Sequence, residues 1–237
     1  MTPHTVLALH YWAGAGHEFD ALRPLLAPGV RLLAPDLPGF GQQPAPPRFD
    51  YSVRAYADWV AAYLAEQQVD DFTLLGHSMG GKIALLLAAR RPAGLRRLVL
   101  LSPSPPPHEP LSDEDRAAAL TAYGQPDAAE QTCRKITYRP LPPAVHAAVV
   151  ADNLRTRRPA WDQWLEHGTR ADITAELATL AGPCHLLVGA HDQAITPATQ
   201  RRLTLPYLPV GTSFTEVPGA GHLLPLEVPA VVAAALG

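Results

Sequence analysis

Residues 72–91 read Phe-Thr-Leu-Leu-Gly-His-Ser-Met-Gly-Gly-Lys-Ile-Ala-Leu-Leu-Leu-Ala-Ala-Arg-Arg, and Pro92 follows. A short, largely apolar run passes through a serine between glycines straight into a stretch of Ala and Leu. The only charges in that second stretch are Lys82, Arg90 and Arg91. A strand that is apolar at successive positions, rather than at every second one, is covered on both faces. A helix without a polar stripe is enclosed as well. The segment therefore requires layers of structure on either side of a sheet, which is an α/β architecture.

The rest of the chain repeats the alternation. Candidate strands lie at 6–10, 31–34, 72–76, 97–101, 185–189 and 213–217. Ser52 is placed to cap a helix in which Val53, Tyr56, Val60, Tyr63 or Leu64, and Gln67 recur at three- and four-residue steps. A small apolar helix at 228–236 closes the chain. From Pro103 to about Arg170 no strand-like run occurs. That stretch opens on Pro103, Pro105, Pro106 and Pro107, contains a helix start at Ser112-Asp113-Glu114, and holds Tyr123, Tyr138, Trp161 and Trp164. It is too long for a plain loop and reads as a helical insertion. The expected division is a core of residues 1–102 and 171–237 interrupted by an insertion at 103–170. The expected sheet is mostly parallel, with about six strands and helices on both faces.

At 237 residues and 47% hydrophobic content, the chain can bury one substantial core. A net charge of −3 provides no attraction to nucleic acid or anionic membranes. Cys133 and Cys184 form no C-x-x-C pair, so two lone buried thiols are expected rather than a metal site or disulfide framework. The apolar run at 5–9 is cut short by polar and glycine residues and reads as a strand, not a leader or span. A cytoplasmic location is the expectation.

Gly76-His77-Ser78-Met79-Gly80 carries the chemistry. A G-x-S-x-G pattern is informative where it follows a strand and opens a helix, as here. The sharp turn strains the serine backbone, needs small neighbours, and lifts the hydroxyl to a helix N-terminus that favours negative charge. A serine hydroxyl needs a base. His77 is adjacent in sequence and cannot ordinarily face Ser78 across a turn. His222, in Gly219-Ala220-Gly221-His222 after the last strand, is the better base. Asp192, past the strand at 185–189, is the candidate orienting acid, with Glu109 the nearest carboxylate after the strand at 97–101. The order Ser78, Asp192, His222 suits this elbow.

These pieces together resemble the α/β-hydrolase fold family, in its esterase and lipase-like branch. The resemblance covers nearly the whole chain. It rests on the elbow, on residues 9–16 and 35–41 after the first two strands, on Gly189-Ala190-His191-Asp192 and on Gly219-Ala220-Gly221-His222. It implies a helical cap after the strand at 97–101. It also implies an oxyanion hole formed by the backbone N–H groups of Met79 and Trp12. Two departures stand out. His10-Tyr11 replaces the family's usual His-Gly, which puts the loop path and the Trp12 assignment in question. The family's first two strands are also missing, which leaves the strand at 31–34 on an edge that a homodimer or Pro-rich loops are expected to cover.

The expected activity is hydrolysis of a small to medium, largely apolar carboxylic ester through an acyl-enzyme, with no metal or organic cofactor. Thioesterase, carbon–carbon hydrolase or lyase chemistry on the same triad, or a ligand-binding receptor with negligible turnover, are the alternatives. His10 and His17 read as structural hydrogen-bond partners, and Arg155, Arg157 and Arg158 as a solvated face or a carboxylate-binding group. The insertion's aromatic residues either line the pocket or hold the insertion together.

Overall fold

The computed structural model describes residues 4–237. Among these, strands β1 (Thr5–Leu9), β2 (Arg31–Leu33), β3 (Phe72–His77), β4 (Leu95–Leu101), β5 (Cys184–Gly189) and β6 (Ser213–Val217) form one parallel sheet. Their order is β2-β1-β3-β4-β5-β6. Every expected strand is present, with ends displaced by at most two residues. β4 starts earlier than the apolar pattern suggests, because Leu95 pairs with Phe72 across a register irregularity and carries Arg96 and Arg97 into the ladder. β2 lies on the edge, as expected.

The period of two in a strand divides the sheet's side chains between two cores. Leu7, Leu9, Leu74, Leu98, Leu100 and Val188 face one side, where α1 (Val53–Glu66) and α2 (Met79–Ala89) cover them. Val6, Ala8, Leu75, Val99, Leu101 and Leu187 face the other. There a 3-10 segment at Gly16–Leu25 packs together with two short helices, Leu224–Glu227 and Pro229–Ala234. The Ser52 hydroxyl caps α1 by accepting from Ala55 N at 3.0 Å. The buried stripe of α1 continues through Leu64, while Tyr63 stacks on Trp59. All eleven residues of α2 are buried, Lys82 included. The Lys82 ammonium donates to Pro107 O at 3.0 Å and Gly168 O at 3.4 Å, and burial lowers its pKa to about 8.

Four helices stand between β4 and β5. They are α3 (Asp113–Thr121), α4 (Pro126–Ile136), α5 (Pro143–Arg155) and α6 (Arg158–Glu166), with Ser112 capping the first. The aromatic residues of this insertion have separate tasks. Trp161 packs against Trp12 with ring centroids 4.2 Å apart and donates to Ala119 O, and Tyr123 donates to Thr156 O. Trp164 faces a cavity, and Tyr138 stacks on His191 at 3.7 Å. Arg155 and Arg158 are engaged within their own helices by Asp152 and Asp162. No described helix is long and apolar enough to cross a membrane.

From β1 the chain runs to β2 on one side, then returns to β3 on the other. The winding direction therefore reverses between β1 and β3. At such a reversal the loops leaving the carboxyl ends of two neighbouring strands diverge and open a crevice. The loop after β1 and the turn after β3 border that crevice. Topology alone puts Trp12 and Ser78 beside it.

Candidate active site

Ser78 has φ 52° and ψ −116°, a conformation that a side chain rarely adopts and that costs about 1–3 kcal/mol. The surroundings hold it there. Ser78 N donates to Leu101 O at 2.9 Å, and Ser78 O accepts from Gly81 N, Lys82 N and Ser104 N. The neighbouring glycines are required by space and not by φ. A Cβ on Gly76 would lie 2.6 Å from Gly80 O, and one on Gly80 would lie 2.2 Å from Leu9 O. Close approach of β1, β3 and α2 thus excludes every side chain larger than hydrogen at both positions.

Asp192 and His222 meet directly, with Asp192 Oδ2 2.8 Å from His222 Nδ1. The other carboxylate oxygen accepts from Ala194 N at 2.8 Å and Ile195 N at 2.9 Å. An ionised carboxylate only accepts, so Nδ1 carries the proton and Nε2 is left with a lone pair. Burial works against the charged form of both groups, yet the opposite partner prevails. The Asp192 carboxyl is held below its ordinary range, and His222 is raised above 6.5 by the Asp192 charge and hydrogen bond. Ser78 and His222 line one cavity of about 570 Å³. Among the described residues no hydrogen bond joins the Ser78 hydroxyl to the ring. Catalytic hydrogen bonds are often long before substrate binds.

Met79 N is the first amide of α2 and has no intrahelical acceptor, so its N–H is free to bind charge. Trp12 borders the same cavity. The loop carrying it is fixed by His10, whose Nδ1 donates to Tyr11 O at 2.7 Å while Nε2 accepts from Leu37 N at 2.9 Å. Burial lowers the pKa of His10 and keeps it in this neutral tautomer. The positive φ that a glycine could supply after His10 falls instead on Ala13, at 62°. Tyr11 therefore occupies the usual glycine position without strain of that kind, and its ring walls the cavity. His10 acts structurally, and so does His17, which contacts Asp152 at 2.6 Å.

Three groups near the site have partners that a reading of the sequence does not give. His77, dismissed as a base, lies in the interior: its Nε2 donates to His222 O at 2.9 Å and its Nδ1 faces the Glu18 carboxylate at 3.1 Å. The carbonyl can only accept, so His77 fixes the backbone of His222. Glu109 lines the cavity, and burial raises its pKa. Glu227 accepts from Gly221 N and Leu223 N on either side of His222, and from Tyr138 N and Arg139 N of the insertion, at 2.8–3.2 Å. His222 N itself donates to Ile136 O at 2.8 Å, and Arg139 Nε donates to Gly219 O at 2.6 Å. One buried carboxylate thus joins the His222 loop to the segment following α4. A lone acid in the apolar run Leu223-Leu224-Pro225-Leu226-Glu227 was the available signal.

Glu227→Gln retains one acceptor oxygen but loses the charge that draws four amides. Loss of charge-assisted hydrogen bonds of this kind costs about 1.5–3 kcal/mol. The expected outcome is a melting temperature lower by roughly 3–12 °C, at about 2–4 °C per kcal/mol for a chain of this length. Amide exchange should accelerate first at Gly221, Leu223, Tyr138 and Arg139. Unchanged exchange at those four amides would contradict this account of the loop.

A family model described as alpha/beta hydrolase family matches residues 6–235. Two relatives, both named pimeloyl-(acyl-carrier protein) methyl ester esterase, come from Neisseria meningitidis serogroups A and B. Each is 32% identical over 206 residues, or 81% of this chain. The chain spans 62% of the length of the first and 76% of the second. Among solved structures, an esterase from Exiguobacterium antarcticum superimposes with a TM-score of 0.89 at 18% identity. That match covers 99% of this chain and 91% of the other, a likeness of fold.

Proposed function

The chain belongs to the alpha/beta hydrolase family, and from that premise we propose that it is a serine esterase using Ser78, His222 and Asp192. The observation that carries the proposal is the 2.8 Å Asp192–His222 pair, with His222 lining the same cavity as a serine on a strained elbow. His222 Nε2 takes the Ser78 proton as Oγ attacks an ester carbonyl. Asp192 holds the ring's tautomer and favours the imidazolium that forms. The amides of Met79 and Trp12 receive the oxyanion, each such donor contributing about 2.7–4 kcal/mol in comparable sites. The imidazolium then protonates the leaving alcohol. Water activated by the same Nε2 releases the acid.

The insertion serves as a cap over the site and sets the substrate. Its walls are mixed: Trp164, Leu165 and Val149 are apolar, whereas Glu109, Gln131 and Asn153 are polar. A medium-length acyl chain bearing a polar group suits such a cavity better than a wholly apolar one. The relatives' printed activity, on the methyl ester of a carrier-bound acyl chain, is compatible with that description.

The test is multiple turnover on a series of nitrophenyl and methyl esters of two to ten carbons. Many equivalents of acid per protein are expected. At most one equivalent, with the acyl group retained, would assign the chain to ligand reception and overturn the enzyme reading. Acidity gives a second check. His222 must be neutral to accept a proton, and its pKa lies above 6.5. Activity is therefore lost as pH falls through that raised value, and the acid limb of kcat/KM should be centred above pH 6.5. A limb centred near pH 4 would remove His222 from the base role.

A further inference from the structure

The wall of the cavity carries a carboxyl that the proposed chemistry does not use. Glu109 borders the cavity together with Ser78 and His222 and is partly exposed. His222 is already oriented by Asp192 through Nδ1, so Glu109 is not needed for that task. Its backbone is pinned: Glu109 N donates to Thr169 O at 2.7 Å, and Glu109 O accepts from Leu111 N at 2.8 Å. The nearby buried cations are engaged elsewhere. The Lys82 ammonium donates to Pro107 O and Gly168 O, and the Arg116 guanidinium donates to Leu165 O, Thr169 Oγ1 and Leu111 O. Among the described residues no cation forms an ion pair with Glu109.

We propose that Glu109 is a specificity-determining residue of the cavity and pairs with an ammonium group carried on the chain of the ester. On the esterase reading above, on which this rests, the polar group of the substrate is a cation. A carboxylate can only accept, and it gains most from a donor that brings a positive charge. A substrate ending in a carboxylate is the disfavoured counterpart, since two like charges would meet with no donor between them. Burial raises the pKa of the Glu109 carboxyl, against the opposing pull of the Ser104 hydroxyl and the Lys82, His222 and Arg116 charges. The protein's own groups thus leave this carboxyl short of a partner.

Two other charged residues on the wall sharpen the test. Lys135, exposed on α4, would favour a carboxylate, so it and Glu109 rank the same ligands in opposite order. Asp115 is exposed and accepts from the Ser112 hydroxyl at 2.6 Å at the start of α3. It carries the same formal charge as Glu109 and serves as a control for net charge.

Calorimetric titration with hexylamine and with hexanoate compares a cation and an anion of one length, at about pH 8 where both are charged, and needs no turnover. Wild type should bind hexylamine more tightly by roughly ten- to a hundredfold, the scale that a charge-assisted hydrogen bond supplies. Glu109→Gln keeps the shape, loses the charge, and should bring the two affinities to within about threefold of each other. Asp115→Asn removes the same unit of charge and should keep the preference. Equal or tighter binding of hexanoate by wild type, no measurable binding of hexylamine, a preference retained in Glu109→Gln, or one lost equally in Asp115→Asn would each overturn the proposal. The wild-type comparison decides even where Glu109→Gln does not fold. Turnover of nitrophenyl hexanoate tests the esterase reading separately: at most one equivalent of acid overturns that reading, while the preference for hexylamine is still read by binding.

Discussion

Ser78→Ala is expected to lower kcat on any ester the protein turns over by roughly 10⁴–10⁶, with the folded structure retained. Removal of the nucleophile from such a triad costs on that order, and the residue left over comes from the oxyanion amides and binding. The stability side of this position sharpens the test. Ser78 is held at φ 52° by four backbone hydrogen bonds, and alanine would suffer the same strain. Glycine would not. Ser78→Gly should therefore be as inactive as Ser78→Ala yet more stable by about 1–3 kcal/mol, raising the melting temperature by several degrees. Strain concentrated on the proposed nucleophile is what a site kept for function at the expense of stability carries. Substantial turnover in both variants would move the chemistry elsewhere. Equal melting temperatures for the two would show that the elbow stores no strain.

Gly80→Ala is expected to damage fold and site together. On helix propensity alone alanine is favoured there by about 1 kcal/mol. Space decides the other way, because the new Cβ would lie 2.2 Å from Leu9 O and 2.6 Å from His10 O. Both are backbone atoms and cannot rotate aside. Relief requires α2 to draw away from β1, and overpacking of this kind costs about 1–3 kcal/mol or more. That movement displaces the Met79 amide and the loop carrying Trp12, so kcat should fall at least tenfold even where the protein remains folded. Thermal melting and ester turnover measured on one preparation check both halves. A variant as stable and active as wild type would mean that the close approach of β1 and α2 has no role.

The elbow, the strand before it and the helix after it are legible in residues 72–91, because local sequence dictates local conformation. A strand covered on both faces and a helix apolar all round can exist only inside a layered fold, and six such runs appear at the expected positions. Asp192 and His222 were legible by position after strands, since short loops at the carboxyl ends of parallel strands share one edge of the sheet. Ser52 and Ser112 marked helix starts for the same local reason, a hydroxyl that accepts from an amide three residues on.

Long-range pairing left no such trace. Nothing in the sequence near His77 indicates that it faces Glu18, 59 residues away, or that its other nitrogen holds the His222 carbonyl. The same is true of Glu227, whose four amides come from two separate segments, and of Cys133, whose partners lie on α4 and α5 across a turn. The layers, the strands and the elbow that presents Ser78 are written locally in the chain, because periodicity, chain stiffness and turn chemistry act over a few residues. Which buried polar groups meet depends on how segments far apart in the chain pack together. A buried donor or acceptor must find a partner, but distance along the chain places no limit on where that partner lies.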